Sequence, residues 1–283
     1  MPAVCLRPRR VEKYWGRRDL GAFGRVPDQA EPVGELWFED PRDGARRPAL
    51  LVKYLFTSQP LSVQVHPDDR AARARGMPCG KDEAWWVVDA ERDATIGLGL
   101  TRRLSAGELR EAALDGRLEA LVDWRPVKPG DALVSPGGTI HAIGAGLTVI
   151  EVQQNTDVTY RLYDYGRPRE LHLEEAVAVA RPEPFESAEV PAELGGGRTV
   201  LADRPAFVLE RWRGGGAALL DPPAGRPAWL IPLAEGARLD GEPLPPGGVW
   251  LCEGRGALER EPGADLLVAY PGGGTAELLK PLR

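Results

Sequence analysis

The chain has 283 residues, 43% of them hydrophobic, and a net charge of −6, which is enough apolar material for one large domain with a smaller companion. The acidic balance offers no footprint for nucleic acid or an anionic membrane surface. No stretch approaches the roughly 18 continuous apolar residues of a membrane span, and the opening MPAVCLRPRR lacks the apolar centre of a signal peptide.

Three cysteines, Cys5, Cys79 and Cys252, are odd in number and widely spaced. They supply neither a disulfide framework nor a CxxC metal pair, so a reducing cytoplasm is the expected compartment. The 34 glycines and 27 prolines lie between short apolar runs, the distribution of many strands joined by many turns.

In chain order, PALLVKYLFTSQPLSVQV (Pro48 to Val65) reads as a strand pair around the turn residues Thr57-Ser58-Gln59-Pro60. Strands follow at Ala84 to Asp89, Ala132 to Ser135, Leu147 to Gln153 and Val158 to Tyr163. Ser105 and Glu108 form a capping box ahead of Leu109, Ala112 and Ala113, predicting a helix that Asp115-Gly116 interrupts before Leu118, Leu121 and Val122. A further helix is expected over Glu174 to Arg181, stopped by Pro182. From Arg181 to Arg198 the composition turns to proline, glutamate and Gly195-Gly196-Gly197, which reads as a linker. Beyond it, strands are expected at Phe207 to Trp212, Trp229 to Pro232, Gly248 to Cys252 and Asp265 to Tyr270. The expected organisation is mainly β. Residues 1–185 form a first domain with a helical insertion near 101–122, and residues 186–283 form a second, smaller domain. All three histidines, at 66, 141 and 172, fall in the first, so imidazole-based metal chemistry belongs there.

Strict alternation in Leu61-Ser62-Val63-Gln64-Val65-His66 puts Ser62, Gln64 and His66 on one strand face and the apolar residues on the other. That polar face either lines a cavity or meets solvent. Lys53, interrupting the run LLVKYLF, and Lys81 with Glu83, before Trp85-Trp86, fit a cavity. Gly130, Pro136, Gly138 and His141 have the spacing of the second cupin motif, G-x5-P-x-G-x2-H, and here the chain resembles the cupin superfamily. Ala145 replaces that motif's trailing asparagine. Two histidines and a carboxylate, His66, His141 and Glu83, suffice for zinc with a coordination position left open, and Gln64 is a further oxygen donor.

The blocks LSVQVHPDD (Leu61 to Asp69), GKDEAWW (Gly80 to Trp86), GTIHAIG (Gly138 to Gly144) and IEVQQNTDVTYRLYDYGR (Ile150 to Arg167) resemble, in order and spacing, the type I mannose-6-phosphate isomerases. KYWGRRDL (Lys13 to Leu20) and GELW (Gly34 to Trp37) resemble that family's opening segments. Leu36 and Phe56-Thr57 depart from its pattern. The resemblance covers roughly residues 10 to 180 and implies a cupin-type jelly-roll β-barrel followed by a shortened, metal-free cupin-like β-unit. It implies one Zn2+ per chain on Gln64, His66, Glu83 and His141, with Arg161 as the active-site arginine and Lys81, Ser62 and Glu151 as further pocket residues.

The activity so implied is the interconversion of mannose 6-phosphate and fructose 6-phosphate through a cis-enediol, with a hexose phosphate as the small-molecule partner. Arg161 suits enediolate stabilisation or phosphate binding, and Lys81 or Lys53 suits the phosphate as a point charge. Glu151, a metal-bound water or a lysine with depressed pKa is available as general base. Glu151 equally suits a structural partner for Arg161, should residues 154–157 form a hairpin turn. His172 reads as a surface residue, and Trp85 and Trp86 as core and pocket wall. Two other readings are compatible with the motifs: a different metal-cupin enzyme such as a dioxygenase, and a sugar-phosphate-binding protein without turnover. Monomer and homodimer are both compatible with the sequence.

Overall fold

A computed structural model describes residues 3–42, 47–187 and 191–282. The chain is mainly β and cupin-like. It divides into two compact units, one of Arg10–Leu36 and Leu51–Ser187, the other of Met1–Arg9, Trp37–Leu50 and Ala188–Arg283. The division is therefore not the single cut at 185/186 expected from composition. Strand β1 (Ala3–Cys5) pairs with Trp250–Cys252, so the start of the chain is a strand of the C-terminal unit.

The first unit is built on two sheets. A six-stranded sheet runs β2 (Arg7–Arg17), β3 (Val33–Glu39), β4 (Leu50–Thr57), β11 (Leu147–Gln154), β6 (Glu83–Ala90), β9 (Ala132–Ser135). A five-stranded sheet runs β12 (Tyr160–Tyr163), β5 (Val63–Val65), β10 (His141–Ile143), β7 (Thr95–Leu100), β8 (Val122–Pro126). The strand pair expected over residues 48–65 is corrected here: both strands exist, but β4 and β5 belong to different sheets. Ser58 bonds back to Trp15 (N–H to O, 2.8 Å), and the chain crosses between layers where a tight hairpin would have kept it in one.

Two apolar clusters explain the pattern of β5. Among the described residues the α-helices are α1 (Asp69–Arg73), α2 (Ala106–Asp115), α3 (Leu118–Leu121) and α4 (Leu173–Val179), and Val63 and Val65 pack with Leu109, Ala112 and Ala113 of α2 and Ala176 of α4. Trp15, Leu55, Leu61, Trp85, Ile96 and Ile143 form a second cluster. With the valines turned to the helices, the alternate residues Ser62 and Gln64 line a cavity, so the solvated-face reading of this strand does not hold. Helix α2 carries the expected capping box: Glu108 N–H donates to Ser105 Oγ at 3.2 Å, and Ser105 N–H donates to Glu108 Oε2 at 2.7 Å. It ends at Gly116 with φ 83°, a left-handed cap that glycine adopts without strain. Helix α4 stops at Val179, earlier than expected, because Ala180 is already extended and Pro182 disfavours helix at Arg181.

The C-terminal unit has a seven-stranded sheet, containing β1, and a five-stranded sheet. The glycine run read as a linker is a hairpin turn: Ala192–Gly195 pairs with Arg198–Asp203, and Gly195, Gly196 and Gly197 all have positive φ. Residues 188–190 of that stretch lie outside the described residues. Among its described residues the core is apolar apart from Glu210, which is fully buried. Arg198 meets Glu210 through two bonds of 2.7 Å, Trp212 Nε1 donates to it at 2.6 Å, and Tyr270 Oη donates to its other oxygen.

Removing the cation alone would strand a buried carboxylate, so Arg198→Ala should lower stability by about 3–5 kcal/mol in urea unfolding. Replacing both partners, Arg198→Met with Glu210→Leu, should cost less than the single change.

Candidate metal centre and active site

His66, Glu83 and His141 come from three segments that approach closely because glycines stand where the backbones cross. A Cβ on Gly80 would lie 2.5 Å from the Asp68 carbonyl carbon, and one on Gly137 2.6 Å from Asp68 Cα. Gly138, with φ 90°, donates its N–H to His66 O at 2.7 Å. Carboxylates tie the knot: Asp69 Oδ1 accepts from Gly80 N–H (2.8 Å) and Gln154 Nε2 (2.9 Å), and Asp82 Oδ1 accepts from Gly137 N–H (2.8 Å). Asp69 of HPDD and Asp82 of GKDE are thus ties between loops.

The three side chains converge on one point, their ligand atoms all within 4.8 Å of one another. His66 Nε2 lies 3.2 Å from Glu83 Oε1, and His141 Nε2 lies 3.5 Å from Glu83 Oε2. All three residues are buried. The His141 ring is set from behind: Nδ1–H donates to Thr139 O at 2.9 Å, with Ser135 Oγ at 3.1 Å, which leaves the Nε2 lone pair facing inward. Neither buried Glu83 oxygen has a well-directed hydrogen-bond donor, although Lys81 Nζ stands 3.0 Å from Oε1. Two imidazole lone pairs and an under-satisfied carboxylate aimed at one point fit a divalent cation. Gln64 borders the group with its amide nitrogen 3.3 Å from His141 Nε2, while its oxygen faces Ser62 Oγ at 3.4 Å. To offer oxygen to a metal the amide must turn over.

Charge follows burial. Burial, followed by the nearby Lys81 charge, pushes the His66 imidazole down to about 3, against the pull of Glu83. Burial likewise lowers His141, with Glu83 opposing. Burial would raise the Glu83 carboxyl, but Lys81 and His66 hold it well below the carboxylate range. The group therefore presents a carboxylate and two neutral imidazoles, the protonation states that bind metal.

Beside it opens a cavity of about 350 Å³, within the roughly 300–1,000 Å³ of small-molecule sites. Ser62, Gln64, Lys53, Lys81, Glu83, Glu151 and Arg161 all line it. Arg161 stands opposite Gln64 on β5, and Gln64 stands opposite His141 on β10, so one register row of the five-stranded sheet carries all three. The hairpin considered for residues 154–157 is absent: β11 and β12 belong to different sheets. The partners of Glu151 are instead Lys53 Nζ at 3.1 Å and Trp85 Nε1 at 3.1 Å. Burial and the Glu83 charge raise the Glu151 carboxyl, with Lys53 and Lys81 opposing. His172, read as a surface residue, lines the cavity and accepts Arg161 N–H on its Nδ1 at 3.3 Å. Trp85 and Trp86 are both buried. Lys13, Glu35 and Arg169 also line the cavity. Nothing in the sequence alone gives them a chemistry; the available signal is charged residues beside aromatics, glycine or proline in KYWG, GELW and RPRELH.

No family model matches the chain. Mannose-6-phosphate isomerase ManA of Bacillus subtilis is 36% identical over 267 residues, 80% of this chain and 83% of its own length. The chain belongs to the mannose-6-phosphate isomerase family. The mannose-6-phosphate isomerase of Streptococcus mutans is 36% identical over 195 residues, 66% of this chain, and that match spans 61% of the relative, less than two thirds of its length. A crystal structure of a Bacillus subtilis mannose-6-phosphate isomerase superposes with a TM-score of 0.82 at 27% identity, covering 95% of this chain and 99% of that one. The likeness of fold therefore extends through both units.

In metal-free protein the two buried imidazoles resist protonation, whereas unfolded histidines protonate near 6.5. The unfolded state then binds more protons below that value, so stability should fall steadily as pH drops from about 6.5. Thermal unfolding of chelator-treated protein at pH 7.5 and pH 5 measures the loss, and His66→Gln should shrink it.

Proposed function

We propose that this chain is a zinc-dependent aldose-ketose isomerase that interconverts mannose 6-phosphate and fructose 6-phosphate through a cis-enediol. The observation that carries the reading is the joining of the buried His66, Glu83 and His141 group to a polar cavity with Glu151, Lys53, Lys81 and Arg161 in its lining. One zinc per chain would be held by His66, Glu83 and His141, with Gln64 as a further oxygen donor once its amide turns. Bound there, it supplies Lewis-acid polarisation of the sugar carbonyl.

The remaining chemistry falls to side chains. Aldose and ketose differ by a proton moved between C1 and C2 and another between their oxygens. We assign the carbon-bound proton to Glu151. The C–H bond breaks and its electron pair forms the C1–C2 double bond as the carbonyl π pair moves onto oxygen. The hydroxyl proton passes from one oxygen to the other, and the carboxyl returns the carbon-derived proton to the neighbouring carbon as the new carbonyl forms. Burial strengthens this base, while Trp85 and Lys53 each hold one of its oxygens, fixing the direction of attack. Lys81, beside Glu83 and His66, is assigned to the negative charge that develops on the sugar oxygen.

Arg161 donates Nη1–H to Glu170 O at 2.7 Å, and its buried Nε has no acceptor. A phosphate oxygen or the enediolate would complete it. Ser62 and Lys53 are proposed as further contacts to the substrate and its phosphate. We further assign the chain to a reducing, cytoplasmic setting, on the odd number and wide spacing of Cys5, Cys79 and Cys252 in the sequence. The same two-histidine, one-carboxylate set also suits iron, so the native metal is part of the test.

A coupled assay of fructose 6-phosphate formation from mannose 6-phosphate should lose activity with chelator, regain it with zinc, and register none for His141→Ala. Glu151→Gln should keep its metal, measured by elemental analysis, while kcat falls by about 10²–10⁴. Replete protein that binds one metal per chain but never turns over mannose 6-phosphate would sink the proposal.

A further inference from the structure

Strands β2, β3, β4 and β11 lie side by side in that order, and each contributes one ionisable side chain to the cavity lining: Lys13, Glu35, Lys53 and Glu151. The sign alternates along the row. Its inner pair is tight, with Lys53 Nζ 3.1 Å from Glu151 Oε2. Its outer pair is looser, with Lys13 Nζ 3.9 Å from Glu35 Oε1. Gly34 lets Lys13 come this near, since a Cβ there would stand 2.6 Å from Lys13 Cβ. Opposite charges on neighbouring strands stabilise a sheet and like charges oppose it, but a surface row would serve that purpose. This row lines a cavity, and Lys53 and Glu151 within it are buried.

The row has a physical purpose if Glu151 changes charge during turnover. Once Glu151 holds the carbon-derived proton, Lys53 keeps its positive charge but loses the negative partner beside it, and a buried ammonium without one sheds its proton or moves. A second carboxylate on the far side of Lys53 prevents this. We propose that Glu35 is a positioning residue that keeps Lys53 charged and in place while Glu151 is protonated, with Lys13 as the outer counter-charge that keeps Glu35 ionised. The inference rests on the reading of Glu151 as the group that takes the carbon-bound proton.

The charges facing Glu151 are Lys53 on β4, Glu35 on β3, Glu83 at the start of β6 and Lys81 in the loop just before it; those facing Lys53 are Glu151, Glu35 and Glu83. Removing the Glu35 charge makes ionised Glu151 easier to form and charged Lys53 harder to keep, so both titrations move to lower pH. Removing the Lys13 charge moves both to higher pH. A role confined to packing predicts neither displacement.

The test is the pH dependence of kcat and kcat/KM for mannose 6-phosphate with zinc-loaded wild type, Glu35→Gln and Lys13→Gln, metal content being measured for each. Glu35→Gln should displace both limbs downward by about half to one pH unit. Its kcat should fall by about tenfold, with KM changed by less than about threefold. Lys13→Gln should displace the limbs upward by a smaller amount, because its side chain is 35% exposed and screened by solvent. Should Glu35→Gln not fold, the direction seen with Lys13→Gln decides the matter. Limbs unmoved in the variants, or moved in the same direction by both, overturn the role of Glu35 and leave the isomerase reading standing. A wild type that never turns over mannose 6-phosphate overturns both.

Discussion

A carboxylate cannot be taken out of water without a counter-charge or a set of donors, and the burial of Glu83 is the constraint around which the first unit is organised. Its oxygens face His66 and His141 at 3.2 and 3.5 Å, and Lys81 is the one full positive charge within 4 Å of them among the described residues. Lys81 supplies one counter-charge and the two neutral imidazoles supply none, so the three converging ligand groups keep lone pairs that could hold a metal ion. The loops that bring these residues together are tied by Asp69 and Asp82 and pass one another at Gly80 and Gly137. Backbone packing therefore sets the centre of the site before any ligand arrives.

Around that centre the two sheets divide the work. The five-stranded sheet supplies the row His141, Gln64 and Arg161, and the six-stranded sheet supplies Lys53, Glu151 and Glu83. Polar side chains crowd the inside of this unit because its apolar strand residues have a second place to go. Val63 and Val65 pack on the helices, and that layer lets a short strand turn Ser62 and Gln64 inward. The helical segment after β7 is thus the cover that makes a polar interior affordable.

The C-terminal unit meets the same constraint differently. Among its described residues the interior is apolar and the one fully buried carboxylate, Glu210, is satisfied by Arg198, Trp212 and Tyr270. With every oxygen donated to, it has no unspent valence for a metal or substrate. The contrast with Glu83, whose oxygens have no well-directed hydrogen-bond donor, separates a buried charge that holds a fold from one that could hold a ligand.

Local patterns determined much of this in advance. Period-two alternation assigned the face of Ser62, Gln64 and His66, the capping box set the start of α2, and the spacing from Gly130 to His141 marked the turn that delivers a histidine. These are properties of neighbouring residues, which short-range geometry governs. Pairing across distance was decided only in three dimensions. Nothing near Thr57 says that β4 and β5 part into different sheets, and nothing near Gly196 separates a linker from a hairpin until a partner strand is present. The partner of Glu151 proved to be Lys53, almost a hundred positions away in the chain, and Lys13 and Glu35 became pocket residues only when β2 and β3 took their places beside β4. A sequence orders its residues along one line, whereas a charge row runs across the strands, at right angles to it.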